Sequence, residues 1–499
     1  MKNTSLFSGL FRKISAFVVA GAMLVACAPG TDSSSSVDYK AKLEGKKPNV
    51  VLILVDDLGF GDLGCYGQQT LTTPIIDQMA KDGLSFTTMY TGAPVCAPSR
   101  ASILTGKHTG HTNVRGNSPA QLLSDDEITI AKMMKTAGYT TGCIGKWGIG
   151  HPPPVDDPAK KGFDHFYGYI NMWHAHNFYP EFLYKNGEKV PLKNKTQLVD
   201  GKNPWAHMPE GTGVAEVKEE YVHNLFDAEA MSFIESNKEN PFFLYMAYNV
   251  PHANNEGIPD GMEVPDYGEY ANEDWPDQEK GFAAMIRNID NSVGMIIEKL
   301  KAEGLAENTI VMFCSDNGPH QEGGHMMDFF NSNGDLNGMK RDLYDGGVRT
   351  PFIAYWPGMI EADTKTEHVA AFWDFHPTFG ELVGADLSNE QIDGISFLPT
   401  LLGDSAAQKA HDFLYWEFYE LDGRQSVIAD GYKAVKFKIQ TDEPYWELYN
   451  LETDPGESNN IAEQHPEILE KMQKIMDEQH GEFDKADLFT PNSQYNAPF

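Results

Sequence analysis

The chain predicts an α/β architecture: a large mixed, mostly parallel sheet flanked by helices, followed by a small C-terminal α+β subdomain. Three observations predict it. Continuous apolar runs rich in β-branched residues end in polar clusters, amphipathic stripes of helical period lie between them, and near Asp412 the texture changes to short strands separated by turns.

The N-terminal segment stands apart from that pattern. Lys2, Arg12 and Lys13 precede an apolar run from Ile14 to Ala26 that is short for a bilayer span and reads as an export signal. Leu24-Val25-Ala26-Cys27 is similar to a bacterial lipobox, which implies cleavage after residue 26 and lipidation of Cys27. Residues 27–46, passing through Ser33-Ser34-Ser35-Ser36, then form a tether. Ala28 is not the aspartate that retains lipoproteins at the inner membrane, so an outer-membrane anchor facing periplasm or cell surface is expected.

Asn49-Val50-Val51-Leu52-Ile53-Leu54-Val55 is an uninterrupted run of the kind covered on both faces in a parallel sheet, and it ends at Asp56-Asp57. Thr140 to Ile144 ends near Lys146, Phe242 to Ala247 near Pro251-His252, and Thr309 to Cys314 at Ser315-Asp316-Asn317-Gly318. Ligands of open α/β sheets bind beyond the carboxyl ends of the strands, so these four clusters predict one shared site. Between them, Thr73-Pro74 gives an N-cap and a proline at the first helical position before Ile75, Ile76 and Met79, with Gly83 as the stop. Ile130, Met133, Met134 and Ala137 make a second stripe, and Phe282 through Leu300 a longer third. From Asp164 to Val222 periodicity is weak, and the many Trp, His, Tyr and Asn residues read as functional loops.

Residues 47–411 are thus expected to form the catalytic domain and 412–499 the C-terminal subdomain. In the latter, Phe413–Phe418, Gln425–Ile428, Ala434–Phe437 and Trp446–Tyr449 read as an antiparallel sheet, and Ile468, Leu469, Met472, Ile475 and Met476 as a closing helix.

The formal net charge of −33 argues against nucleic acid as a partner, since such binding depends on Lys and Arg to neutralise phosphates, while an acidic surface can still enclose a local cationic pocket. Cys65, Cys96, Cys143 and Cys314 show no paired spacing, so neither a zinc site nor a disulfide framework is indicated. Asp56, Asp57, Asp316 and Asn317 offer only oxygen donors, which suits a hard cation, Ca2+ first and Mg2+ second.

The most informative segment is Gly92-Ala93-Pro94-Val95-Cys96-Ala97-Pro98-Ser99-Arg100-Ala101-Ser102-Ile103-Leu104-Thr105-Gly106. Its Cys-x-Pro-x-Arg core resembles the tag at which cysteine is converted to formylglycine, and the whole segment resembles the signature of the type I sulfatases of the alkaline phosphatase superfamily, bacterial polysaccharide sulfatases in particular. The likeness covers essentially the whole chain from Lys47 to Ala462. It implies an alkaline phosphatase-like fold and maturation of Cys96 by a formylglycine-generating or anaerobic sulfatase-maturating enzyme. An aldehyde there hydrates to a diol, so that one hydroxyl attacks sulfur and the other later expels sulfate, one hard displacement split into two. The resemblance further implies a metal held by Asp56, Asp57, Asp316, Asn317 and residue 96, support of the modified residue by Arg100, sulfate binding by Lys146 and Lys340, and protonation of the leaving alcohol by His252.

One position departs from the family pattern. Many sulfatases carry histidine directly after the Lys-Trp pair, where this chain has Gly148. His151, His174 and His176 are candidates to take over, and with Trp173 and Arg349 they are candidates to bind substrate. The aromatic and histidine-rich loop Trp173-His174-Ala175-His176-Asn177-Phe178-Tyr179-Pro180 suits a sugar ring, so the expected substrate is a sulfated polysaccharide or its oligosaccharides, a sulfated galactan such as carrageenan before ulvan or glycosaminoglycans. Two alternatives stay open: a phosphodiesterase or phosphonate monoester hydrolase of the same superfamily, and an inactive glycan-binding lipoprotein.

Overall fold

A computed structural model describes residues 37–117, 121–150, 157–197 and 210–483. The export signal, Cys27 and His151 lie outside the described residues. In chain order the strands are β1 (Asn49–Asp56), β2 (Leu84–Tyr90), β3 (Thr140–Lys146), β4 (His165–Tyr169), β5 (Phe182–Lys185), β6 (Glu188–Pro191), β7 (Lys195–Gln197), β8 (Val214–Val217), β9 (Phe242–Pro251), β10 (Thr309–Ser315), β11 (Arg349–Tyr355), β12 (Thr364–Thr366), β13 (Ala370–Ala371), β14 (Leu414–Phe418), β15 (Arg424–Ala429), β16 (Tyr432–Phe437) and β17 (Tyr445–Asn450).

The main sheet runs β12-β2-β11-β10-β1-β9-β3-β4-β5-β6, with β13 beside β2. β1 is central and parallel to both neighbours, β10 and β9, while β3 continues the parallel set beside β9 and β4 beside β3. Because these strands point the same way, their polar ends reach one edge of the sheet. The antiparallel pairing of β11 with β10 and of β2 with β11 brings Tyr90 and Arg349 to that edge as well. The loop leading to Cys96 and the loop carrying Lys340 therefore open onto it.

Strand pleating divides the apolar side chains of β1 between two cores, as the period of two requires. Val50, Leu52 and Leu54 join a core with Ile103, Met134 and Phe379, whereas Val51, Ile53 and Val55 join one with Ile76, Phe226 and Ile289. Helices on both faces explain why the sequence of β1 reads as an unbroken apolar run.

The C-terminal sheet is antiparallel in the order β14-β15-β16-β17, and the helix Pro466–Gln479 covers one face through Met472 and Met476. The other face packs Trp416, Phe418 and Val435 against Tyr90, Val95 and Trp373, next to the Cys96 loop.

Three expectations are corrected. The stretch between Asp164 and Val222 holds the short strands β4 to β8, too brief to register as periodicity. Residues 39–43, assigned to the tether, form a helix docked on the body: Tyr39 is buried and donates to Glu381 at 2.5 Å, and Lys42 donates to the Leu402 carbonyl at 2.7 Å. The helix Pro74–Lys81 starts where expected, but its first amides are capped by Asp290 Oδ1, at 3.0 Å from Ile75 N and 2.8 Å from Ile76 N, while Thr73 turns to Asp77.

Candidate active site

Asp56 ends β1, and Asp57 follows in a left-handed backbone conformation (φ 65°) that bends the chain across the sheet edge. Aspartate tolerates this region better than most residues. Asp316 and Asn317 stand alongside because Val55 and Ser315 are in register. Asp316 Oδ1 accepts the Asp57 amide at 3.2 Å, and Asn317 Nδ2 donates to Asp57 Oδ1 at 2.7 Å. All four side chains are fully buried.

Asp56, Asp57 and Asp316 each offer a carboxylate oxygen within 4.8 Å of the others. Asp56 Oδ1 and Asn317 Oδ1 are buried and accept no hydrogen bond from the described residues. Burial and the adjacent Asp56 push the pKa of Asp316 up to about 8, against the pull of Arg100. Orphaned hard oxygens and crowded negative charge fit a divalent cation of the Ca2+ or Mg2+ type.

Cys96 opens the buried helix Cys96–Thr105. The first-turn amide of Ala97 donates to Asn117 Oδ1 at 3.1 Å, and Cys96 Sγ lies 3.5 Å from the same oxygen. Burial raises the thiol pKa in spite of Lys146, so the unmodified residue is a protonated thiol and a poor nucleophile. One turn on, Arg100 reaches Asp316 Oδ2 through Nε at 2.9 Å and donates to the Lys146 carbonyl at 2.6 Å. Lys146 Nζ lies 2.6 Å from Asp56 Oδ2. Burial alone would raise the Asp56 pKa, but Lys146 and Arg100 hold it below the usual carboxylate range.

Lys340 Nζ is 2.8 Å from Asp57 Oδ2, 3.0 Å from Glu322 Oε2 and 3.1 Å from His252 Nε2. Asp57, His252 and Glu322 have the spacing of a second metal site, and the ammonium of Lys340 fills its centre. His252 Nδ1 is 2.7 Å from the Ala253 carbonyl, which calls for N–H there and leaves Nε2 to accept from Lys340. Burial and then Lys340 hold the His252 pKa far below its ordinary value, so the ring rests neutral.

This edge thus gathers four carboxylates, two lysines, an arginine, an imidazole and the helix start at Cys96. The sulfatase family model matches residues 48–385, and a model of the C-terminal part of N-sulphoglucosamine sulphohydrolase matches residues 338–483. The chain belongs to the sulfatase family. It is 31% identical to the N-acetylgalactosamine-6-sulfatase of Canis lupus familiaris over 86% of this chain and 84% of that protein. It is likewise 31% identical to arylsulfatase A of Homo sapiens, over 86% and 87% respectively. Among solved structures, Ps i-CgsB in complex with k-i-k-neocarrahexaose matches with a TM-score of 0.71 at 27% identity, covering 88% of this chain and 95% of that one. The chain is accordingly a sulfuric ester hydrolase.

Other residues of this sulfatase fall in different places. His176 lies beside the cluster, its ring stacked on His252 at 4.6 Å and 20°. His174 is wedged between Tyr169 and Phe182, and burial pushes its pKa down to about 3, the surroundings of a core histidine. Trp173 is half-buried against one of the two cores. Arg349 is drawn to Thr87 and Asp345 and lies over the Phe60 ring, at the junction with the C-terminal sheet and not in the carboxylate cluster. Gly148 has φ 74°, and a Cβ there would meet Arg100 Cδ at 3.2 Å and Lys146 at 3.3 Å.

Sequence reasoning missed Asn117, Glu322 and Arg341. Glu322 had a signal, a carboxylate between Gly318 and Gly324 just past the Asp-Asn-Gly cluster. Asn117 had none, because its partner at Ala97 is a backbone amide.

Proposed function

We propose that this sulfatase removes sulfate from a sulfated polysaccharide or its oligosaccharides, with a galactan such as carrageenan as the leading class, after Cys96 has been matured to formylglycine. The observation that carries it is the convergence of Cys96, at a helix start, with Asp56, Asp57 and Asp316 and with Lys146 and Lys340, which pair with Asp56 and Asp57. When matured, residue 96 supplies an oxygen nucleophile and a second hydroxyl through which sulfate is later expelled. Asp56, Asp57, Asp316 and Asn317 would hold a divalent cation, Ca2+ before Mg2+, which when bound lowers the pKa of a hydroxyl and orients it.

The chain's own residues do the rest. Arg100 braces Asp316 and Asp56 in the positions they need. Lys146 and Lys340 place fixed positive charge where sulfate oxygens gather negative charge as the S–O bond breaks. His252 relays a proton to the departing alcohol oxygen: its Nε2, bare in the neutral resting ring, takes the proton from the Lys340 ammonium 3.1 Å away and passes it on, leaving Lys340 to regain a proton from solvent. Lys340 filling the second ligand trio favours one cation and so favours a sulfatase over a two-metal phosphatase.

The galactan reading draws support from a relative named for N-acetylgalactosamine and a neighbour crystallised with k-i-k-neocarrahexaose. Residues Leu24 to Cys27 support export as a lipoprotein on the outer membrane. The test is release of inorganic sulfate from carrageenans, ulvan and glycosaminoglycans by protein co-expressed with a formylglycine-generating enzyme, beside a Cys96→Ala control. Release from one class that is lost in the control and on chelation supports the reading. A demonstrably matured protein that releases none, but cleaves phosphodiesters or phosphonates, replaces it.

A further inference from the structure

His176 is buried next to His252 with unpartnered polar atoms around it. It is only 9% exposed, yet among the described residues Nδ1 has no hydrogen-bond partner, and the carboxylate paired with it is Glu256, whose Oε1 lies 3.6 Å away. Two further buried oxygens, Glu256 Oε2 and Asn255 Oδ1, accept no hydrogen bond from the described residues. Buried polar atoms are satisfied almost everywhere in native proteins, so three orphans on neighbouring residues beside the proton donor call for an explanation.

The segment that presents His176 is held firmly. Asn171 Oδ1 accepts the Trp173 amide at 2.9 Å, and Asn249 on β9 donates to the Ala175 carbonyl at 2.8 Å, fixing the turn His174–His176 against the strand that leads to His252. The ring is thereby laid flat on His252, whose Nε2 faces the sulfate-binding Lys340. A carboxylate next to Nδ1 favours the proton on that nitrogen and makes Nε2 an acceptor, the same logic by which a buried carboxylate sets the tautomer of a catalytic histidine.

Resting on the sulfatase reading above, we propose that His176, oriented by Glu256, is a specificity-determining residue that accepts a hydrogen bond from a free sugar hydroxyl next to the sulfated oxygen. Every unsatisfied oxygen in the group is an acceptor, so the subsite takes a hydrogen-bond donor and disfavours an ether, a second sulfate or a carboxylate at that ring position. A site built to pair with a hydroxyl discriminates strongly against an analogue lacking it, because its own buried groups are then left unpaired.

The test uses full-length Cys96→Ala protein, which has no nucleophile at residue 96, and calorimetric titration with inorganic sulfate and with the 2-, 3-, 4- and 6-sulfates of methyl β-galactopyranoside. For the tightest sugar sulfate, the mono-O-methyl ethers at neighbouring positions follow. The expected result is that one ether binds roughly 10- to 100-fold more weakly than its parent. His176→Ala then loses that discrimination, its ratio of sugar-sulfate to inorganic-sulfate affinity falls at least tenfold, and Glu256→Gln lies between. Equal binding of all ethers by the parent protein overturns the proposal. So does a His176→Ala variant whose two affinities fall together with their ratio intact, the sign of a structural role. Failure to bind inorganic sulfate at all overturns instead the sulfatase reading beneath it.

Discussion

Glu322 Oε2 lies 3.0 Å from Lys340 Nζ, with both side chains 2% exposed. The same carboxylate pairs through Oε1 with Arg341, the residue after Lys340, whose backbone is held at φ 78°. Burial would raise the Glu322 pKa, but Lys340 and Arg341 hold it well below the carboxylate range. Glu322 is therefore the counter-charge that fixes the direction of Lys340. Glu322→Gln preserves shape while leaving the buried Lys340 and the half-buried Arg341 with less compensation, and breaking a buried pair costs about 3–5 kcal/mol. Its kcat/KM for sulfate release is expected to fall roughly 10- to 100-fold, about 1.4–2.7 kcal/mol of transition-state stabilisation. Steady-state kinetics alongside urea unfolding separate the two effects, and a variant with lowered stability but unaltered kcat/KM would refute the positioning role.

The family pattern invites Gly148→His as a repair, and the geometry argues against it. Residue 148 has φ 74°, and its Cβ would press on Arg100 and Lys146, two groups that order Asp56 and Asp316. Forcing an L side chain into that region costs about 1–2 kcal/mol before any crowding is counted. Gly148→His is expected to be less stable and less active than the parent, and Gly148→Ala to share most of the loss. An increase in sulfate release by Gly148→His would show that the surroundings yield.

The site was legible wherever a strand end carried it. Asp56, Lys146, His252 and Asp316 follow apolar runs whose parallel arrangement is dictated by burial on both faces, so one rule about strand ends assembled them. Glu322 and Asn117 act through loops whose course depends on long-range packing, and the sequence carries no period for them. Arg349 sits among glycines in the Lys340 segment and reads as a ligand-binding residue, yet its guanidinium is engaged by the Thr87 carbonyl and Asp345. Helix stripes placed the helices themselves correctly, but the cap at Ile75 comes from Asp290, distant in sequence and invisible to a local reading.

The C-terminal sheet steers the catalytic loop through Lys433. This fully buried lysine on β16 is 2.8 Å from both Asp345 Oδ1 and Glu457 Oε1, and the Asp345 amide donates to Glu457 Oε2 at 2.7 Å. Asp345 closes the loop that carries Lys340, and Arg424 on β15 adds a 2.9 Å contact to Asp342 in the same loop. Lys433→Met leaves two buried carboxylates facing each other and is expected to lower the unfolding free energy by about 3–5 kcal/mol. Adding Asp345→Asn and Glu457→Gln should recover most of it, since an uncharged set of similar volume is tolerated where a half-broken one is not. Urea midpoints of the single and triple variants check this, and a triple variant no more stable than Lys433→Met would refute it.

Asp62 makes stability depend on pH in the opposite sense to a salt-bridged carboxylate. It is fully buried, accepts the Gly59 amide at 2.7 Å, and burial pushes its pKa up to about 7 from 3.8, against smaller opposing pulls from Ser332 and Gly59. Between pH 4 and 7 the native state thus holds a proton that the unfolded chain releases, so the unfolding free energy falls as pH rises through that window and levels off above it. Each pKa unit is worth about 1.4 kcal/mol, which puts the full loss at roughly 4 kcal/mol. Asp62→Asn keeps an oxygen acceptor for Gly59 and cannot ionise. The variant should match the parent near pH 4, gain on it steadily to pH 7 and hold a constant advantage at pH 8, as read from guanidinium midpoints at each pH. A parent protein whose stability relative to Asp62→Asn is the same at pH 4.5 and pH 8 would mean that Asp62 is ionised in the native state throughout.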